Sequence, residues 1–517
     1  MANVFDDNLA AMRQGFPELY ERFICIDMDT LQPEALVGHI SDADAGAWLS
    51  NQEEPTSENI LIFGLSDGKI VRHLVEQCVP DRRILIYEPS IINLIYTMGE
   101  TDVRFLFQKG VRLIVDPLNE DHFMSVMEEM LTFQNYKDYQ IYLLPGTEVA
   151  FPNARERFVR HFAKEGLGWM ESRRSTERYW LHDSVRNLLY NIRYLKKNTV
   201  TPRLKDVIPA DVPVILAGAG PSLKEEIDIL KNCGSRAYLI AADTCVSYLL
   251  EQGVKPDAFV SVEPRRLVEY FEDERLRDIP LFTRVGTMEN LLFWHRGVKI
   301  FMYEGEPFIH RLYREYEVPA PTYRGGVNGL TQLFAAMDEI GMNTVLLTGQ
   351  DMCFGKAGET HVIRKKEDTE GRVAGAETIN NQGEVVASRT DWVEMIRWYE
   401  NALSDSNVEH VINTSLDGAA LQGSLVMTLE EALDRFGKEH IPFSEIVEKC
   451  PKTFPPDKDF DPDFIYKKIN KQLLEDSYEG LAGDLINKYI IADEKEDEKQ
   501  SVEEGKKELL LLLEDLI

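Results

Sequence analysis

The chain has 517 residues, with 88 Asp and Glu against 57 Lys and Arg, a formal net charge of −31, and 44% hydrophobic residues. Such a length predicts about two to four domains, and the composition is that of a soluble globular protein. The acidity excludes a nucleic-acid backbone or an anionic membrane as the main partner, because both repel a negative surface.

The opening stretch MANVFDDNLAAMRQG has neither a basic nor an apolar signal region, and no apolar run approaches the ~20 residues of a membrane span. A cytoplasmic protein without a membrane span is therefore expected. Cys25, Cys78, Cys233, Cys245, Cys353 and Cys450 lack CxxC spacing, which predicts reduced, mostly buried thiols and no zinc site.

Residues 1–150 carry their own α/β pattern. NILIFGLSDGKIVRHLVEQC reads as strand, glycine turn and helix, RILIYEPS as a second strand ending in Glu88, and VRLIVDP and YQIYLLP as further strands. An acid at that strand end is where dinucleotide folds hold a ribose, but the turn is not GxGxxG, and a scaffold role is the stronger reading. Residues 151–204 then read as a helical connector of two or three helices, rich in arginines such as Arg155, Arg157, Arg160 and Arg186. In so acidic a chain these are expected to pair with acidic neighbours.

Residues 205–425 alternate apolar strands with amphipathic helices, the pattern of a Rossmann-like domain with a mostly parallel sheet. The expected strands are PVILAGA, AYLIAAD, AFVSVEP, KIFMYE, TVLLTGQD and VEHVINTS. Residues 426–517 read as a C-terminal helical domain with a charged run before the final LLLLLEDLI. The fold class is thus α/β and multidomain.

The first strand of the central domain ends in Gly218-Ala219-Gly220-Pro221-Ser222 and turns into a helix. Such a turn brings bare N–H groups and a positive helix end to one point, suited to a phosphate. Ser222 and Glu225 also have the S-x-x-E spacing of a capping box. Asp243-Thr244, Glu263 and Gln350-Asp351 end three further strands, and a ligand of an open parallel sheet lies beyond such ends. A second glycine cluster, Arg324-Gly325-Gly326-Val327-Asn328-Gly329, precedes another helix. These groups together predict a nucleotide-type site. His361, ten residues past Asp351 on a Gly- and Lys-rich loop, is the leading histidine for acid–base or phosphate chemistry. Asp243, Glu263 and Asp351 are of the type that holds Mg²⁺, yet the sequence requires no metal and no cofactor.

ILAGAGPSLKEEI, AADTCVSYLLEQGVKPDAFVSVEP, YRGGVNGLTQLFAAMDEIGMNTVLLTGQDMCF, ETH and INTSLDGAALQG together resemble the motility-associated factor (Maf) proteins, flagellin glycosyltransferases with a 6-hydroxymethylpterin-diphosphokinase-like central domain. The resemblance implies a sialyltransferase-like centre and transfer of a nonulosonic acid, of pseudaminic or legionaminic type, from a CMP-activated donor to Ser or Thr of flagellin. It implies that Gly218, Gly220, Pro221 and Ser222 cradle CMP, that Asp243 and Thr244 flank the donor, and that Gly325 and Gly326 line the phosphate side. Asp351 would close the site, and the segment with Asn413 and Asp417 would form the remaining wall. Arg324 stands where the pattern more often has Ser, so phosphate contact there would use Arg324. Val385, Val386 and Ala387 stand where the related sialyltransferases carry their base histidine, which leaves His361 as the substitute. Two other readings stay open: a diphosphokinase acting on 6-hydroxymethyl-dihydropterin, and a non-catalytic flagellin-binding module.

Overall fold

The computed structural model describes residues 4–27, 42–77, 83–108, 110–132, 135–265, 273–321, 326, 328–356, 358–362, 375–492 and 498–517. The chain divides into two units, Met1–Tyr179 and Trp180–Ile517.

In the first unit, β1 (Asn59–Phe63), β2 (Arg83–Glu88), β3 (Val111–Val115) and β4 (Tyr139–Leu143) pair in the order β3-β2-β1-β4, all parallel. Successive strand side chains point to opposite faces. Ile60, Ile62, Ile84 and Ile86 accordingly enter one core, and Leu61, Phe63, Leu85 and Tyr87 enter another. Because both faces are covered, these strands read as unbroken apolar runs. Glu88, fully buried, accepts hydrogen bonds from the N–H groups of Leu65 (2.7 Å) and Ser90 (2.9 Å) and from the Asn93 amide (3.0 Å). Its carboxylate ties the glycine turn to the following helix, which is a scaffold task.

The arginine-rich segment forms the helix Pro152–His161, a π-helical turn at Phe162–Leu167 and the long helix Gly168–Leu195. Arg155 pairs with Glu148, Arg157 with Asp116, Arg160 with Glu156 and Arg186 with Glu289. These are the acidic neighbours expected of them.

The second unit contains β5 (Thr199–Val200), β6 (Val214–Ala217), β7 (Tyr238–Ala242), β8 (Ala258–Val260), β9 (Leu281–Thr283), β10 (Lys299–Phe301) and β11 (Thr344–Thr348). A hairpin of β12 (Ala376–Ile379) and β13 (Val385–Ser388) follows, then β14 (His410–Asn413) and β15 (Leu425–Val426). Nine of these form one sheet in the order β15-β14-β11-β6-β7-β8-β9-β10-β5. Every pairing in it is parallel. The six strands expected here are present. β5, β9, β15 and the antiparallel hairpin are additional, each two to four residues long and too short to show a period.

The C-terminal helices share the core of this sheet. Phe443 packs edge-on to Tyr238, and the Tyr466 hydroxyl donates to the Leu189 carbonyl at 2.8 Å. The final apolar run lies in the helix Glu498–Glu514, which buries Leu509 and Leu513 and seats Gly505 against the Tyr489 ring. Among the described residues no helix is long and apolar enough to cross a membrane. Cys25, Cys233, Cys245, Cys353 and Cys450 are free thiols, all but Cys25 buried, and Cys78 lies outside the described residues.

Candidate functional site

The strand order reverses at β6. On one side the chain proceeds to β7, β8, β9 and β10, and later it returns to add β11 and β14 on the other. Such a reversal opens a crevice beyond the carboxyl ends of the strands. A cavity of about 200 Å³ lies there, lined by residues 218–220, 242–244, 260–263, 328–330 and 349–353. Thr360 and His361 close one side, and Trp392, Met395 and Tyr399 of the helix Thr390–Asp405 close another. Gly218, Gly220, Asp243, Thr244, Glu263, Asn328, Gln350, Asp351 and His361 therefore converge as the sequence pattern suggests.

A second cavity, of about 800 Å³, shares Asp351 and Cys353 with the first. Pro221, Ser222 and Asp417 line this one. Asn413 is not among the described residues lining either. Its amide donates to the Ala419 carbonyl (3.0 Å) and its oxygen accepts from Ser415 N–H (3.1 Å), so it braces the loop after β14. Gly326 is wedged against Thr331 and Trp398, where a Cβ would approach to 2.3 and 2.8 Å. Arg324 and Gly325 lie outside the described residues.

The GAGPS turn departs from the phosphate cradle that its sequence suggests. Gly218 N–H donates to the Thr348 carbonyl (2.8 Å), Gly220 N–H to the Gly349 carbonyl (2.7 Å), and Ser222 N–H to the Asp351 carboxylate (3.3 Å). Those donors are taken by the end of β11 and the turn that follows it. A Cβ on Gly218 would sit 2.5 Å from the Gly349 carbonyl oxygen, and one on Gly220 would sit 1.9 Å from Asp351 Oδ2. The two glycines are thus required by the close approach of two strand-end turns. The expected capping box is not formed either. The Ser222 hydroxyl donates to Asp351 Oδ2 at 3.0 Å and makes no cap bond.

Asp351 is consequently the centre of the arrangement. Its carboxyl is buried, and burial pushes its pKa up to about 6, against the downward pull of the two Ser222 hydrogen bonds. The next residue, Met352, has φ +48°, a strained conformation for a side-chain-bearing residue, and its carbonyl is held by the Ser388 hydroxyl at 2.8 Å. Gln350 is a brace: its amide donates to the Leu216 carbonyl (2.9 Å) and its oxygen accepts from the Tyr399 hydroxyl (2.7 Å). Asp243 accepts from the Ser261 hydroxyl at 2.8 Å. Asn328 caps the helix Gly329–Ile340 reciprocally with Thr331, and residues 328–330 face the cavity. That helix end, rather than the GAGPS turn, offers the cavity a positive dipole end. Asp243, Glu263 and Asp351 do not assemble a metal centre; among the described residues no group of three or more His, Cys, Asp and Glu is arranged to hold an ion.

Residues 186–357 match the family model described as 6-hydroxymethylpterin diphosphokinase MptE-like. The match bears out the 6-hydroxymethylpterin-diphosphokinase-like domain that the sequence resembles. An uncharacterized protein of Treponema pallidum (strain Nichols) is 33% identical over 81 residues, 16% of this chain, and the match spans 37% of that protein's length. The MAf glycosyltransferase from Magnetospirillum magneticum AMB-1 is a similar solved structure, at 15% identity and a TM-score of 0.48, with 99% of this chain and 90% of that one covered.

The MptE-like segment supplies β6 through β11 and hence Asp243, Glu263, Asn328 and Asp351. The walls formed by Trp392, Tyr399 and Asp417 come from residues beyond it. Within it lies one group that the motif reading passes over. Glu226 lines the larger cavity and is buried on the apolar stripe of Leu223, Ile227 and Leu230. The Thr414 hydroxyl donates to its Oε1 at 2.5 Å, while Oε2 has no hydrogen-bond partner among the described residues. Burial pushes Glu226 up to about 8; the Thr414 bond pulls it down, and the nearby Asp351 and Glu225 push it further up. At neutral pH it is a carboxylic acid, able to donate as well as accept. An acid at an apolar helix position is the sequence signal that reveals it.

Proposed function

We propose that this chain is a glycosyltransferase that moves a nonulosonic acid, of pseudaminic or legionaminic type, from its CMP-activated form to Ser or Thr of flagellin in the cytoplasm. The observation that carries the reading is Asp351, a buried carboxyl with a raised pKa that lines two adjoining cavities. The two cavities adjoin at Asp351, so a donor that spans both would place its reacting bond at their shared wall. Asp351 is ionised at neutral pH and takes the proton of the acceptor hydroxyl. The oxygen attacks the anomeric carbon, the bond from that carbon to the phosphate oxygen breaks, and CMP departs with the electron pair. His361 at the rim of the smaller cavity and the N-terminus of the helix Gly329–Ile340 receive the leaving phosphate. Gln350, Tyr399 and Asn413 hold the walls.

The intact mass of flagellin co-expressed with this chain and a CMP-nonulosonate pathway tests the proposal. A gain of one or more nonulosonic-acid residues, absent without the chain, is expected; an unchanged mass contradicts it. The family description favours a second reading, a diphosphokinase. It requires AMP and a pterin diphosphate to form from ATP and 6-hydroxymethyl-dihydropterin, and their appearance would replace the transferase assignment. Flagellin binding without transfer would point to a binding module.

A further inference from the structure

Acids dominate the wall of the larger cavity. Glu225, Glu359, Glu384 and Asp417 line it together with Asp351, against the lysines Lys224 and Lys356. Ser222, whose hydroxyl bonds Asp351 Oδ2, lines this cavity, which puts that oxygen on the larger cavity's side. A wall of this charge repels an anion and draws in a cation. Among the described residues no group of His, Cys, Asp and Glu is arranged to hold a metal ion, so the cation that fits is organic, an ammonium or a guanidinium. The chain itself supplies an example. Lys356, with a side chain 83% exposed, sets its ammonium 2.8 Å from Asp417. The hydrogen bond to Asp417 and the Asp417 charge push the Lys356 pKa up, and the charges of Glu225 and Glu384 add to the push. Glu225 and Glu384 are exposed and make no ion pair among the described residues. Leu416, 42% exposed, adds an apolar surface to the same wall, as a polypeptide partner requires.

We infer that the larger cavity admits the acceptor polypeptide, and that the segment it takes carries Lys or Arg close to the Ser or Thr that is modified. The inference rests on the transferase reading above and names the acceptor side of that site. The acceptor hydroxyl reaches Asp351 from this cavity. A basic side chain beside it displaces Lys356 from Asp417 and meets Glu225 and Glu384. The same acids hold the donor's carboxylate back at the Asp351 wall.

Fluorescence anisotropy of the full chain with two labelled peptides, one with Lys on both sides of a central Ser and one with Glu there, tests this without a donor. Wild type is expected to bind the lysine peptide about ten-fold or more tightly than the glutamate peptide, a preference that shrinks with added salt. Lys356→Ala, which removes the resident ammonium, should tighten the lysine peptide by about two- to five-fold. Glu225→Gln combined with Glu384→Gln should weaken it by about five-fold. These three side chains are exposed, so the variants keep the fold. Asp6→Asn combined with Asp7→Asn removes the same charge from the first unit and should leave the affinity unchanged. Equal binding of the two peptides, unchanged affinity in the cavity variants, or an equal loss in the Asp6 and Asp7 control overturns the inference. Preferred binding of the lysine peptide with no CMP release from either CMP-nonulosonate overturns the transferase reading and leaves the cavity a site for basic segments.

Discussion

At the scale of single residues, two buried carboxyls with different neighbours hold their protons to different pH. Asp351 is raised to about 6 by burial, and as the proposed base it must be ionised. The rate of the proposed transfer should accordingly rise through about pH 6 and level off above it, a profile that kcat/KM measurements would trace. Asp351→Asn should lower kcat by about 10²–10⁴-fold with little change in KM, the usual worth of a positioned base. Glu226 is raised to about 8, with Asp351 and Glu225 as the acidic groups that add to its burial. For an acid with a raised folded pKa, stability is fully present below the unfolded value and declines as pH rises toward the folded one. Wild type should therefore lose about 1 kcal/mol per pH unit between the ordinary Glu range and pH 8 from this group. Glu226→Gln should remove that slope, and urea titrations at pH 5, 6, 7 and 8 would reveal it.

At the scale of elements, the site is the meeting of the turns that follow β6 and β11. Gly220→Ala forces a Cβ into the Asp351 carboxylate and the Gly349 carbonyl. It should destabilise the fold by about 1–3 kcal/mol, as overpacking does, and should reduce activity with it. Tyr399→Phe leaves the Gln350 oxygen without its buried donor, and a loss of about 1–3 kcal/mol in denaturant stability is expected. The apolar runs of β6, β7, β8, β10, β11 and β14 are legible in the sequence because buried parallel strands must be apolar on both faces. β9 is not, since Leu281–Thr283 is three residues following Pro280. The acids at strand ends are equally legible. What the Gly218 and Gly220 N–H groups bond to is not, because that depends on β11 being the neighbour of β6, a fact of long-range pairing. Glu226 shows only as one acid in a buried helical stripe, a signal that motif reading overlooks.

At the scale of the whole molecule, both cavities lie in the unit Trp180–Ile517, and their walls extend past the MptE-like segment to Trp392, Thr414 and Asp417. The net charge of −31 leaves the surface acidic, so the overall field opposes the proposed anionic donor, which local groups would have to hold. The account therefore turns on whether this site cleaves a sugar nucleotide for an acceptor protein. The most direct measurement is CMP release from CMP-pseudaminic acid or CMP-legionaminic acid, with and without flagellin, by wild type and Asp351→Asn. The account predicts release that depends on flagellin in wild type and falls by two or more orders of magnitude in the variant. No release with either donor, or equal release by Asp351→Asn, would contradict it.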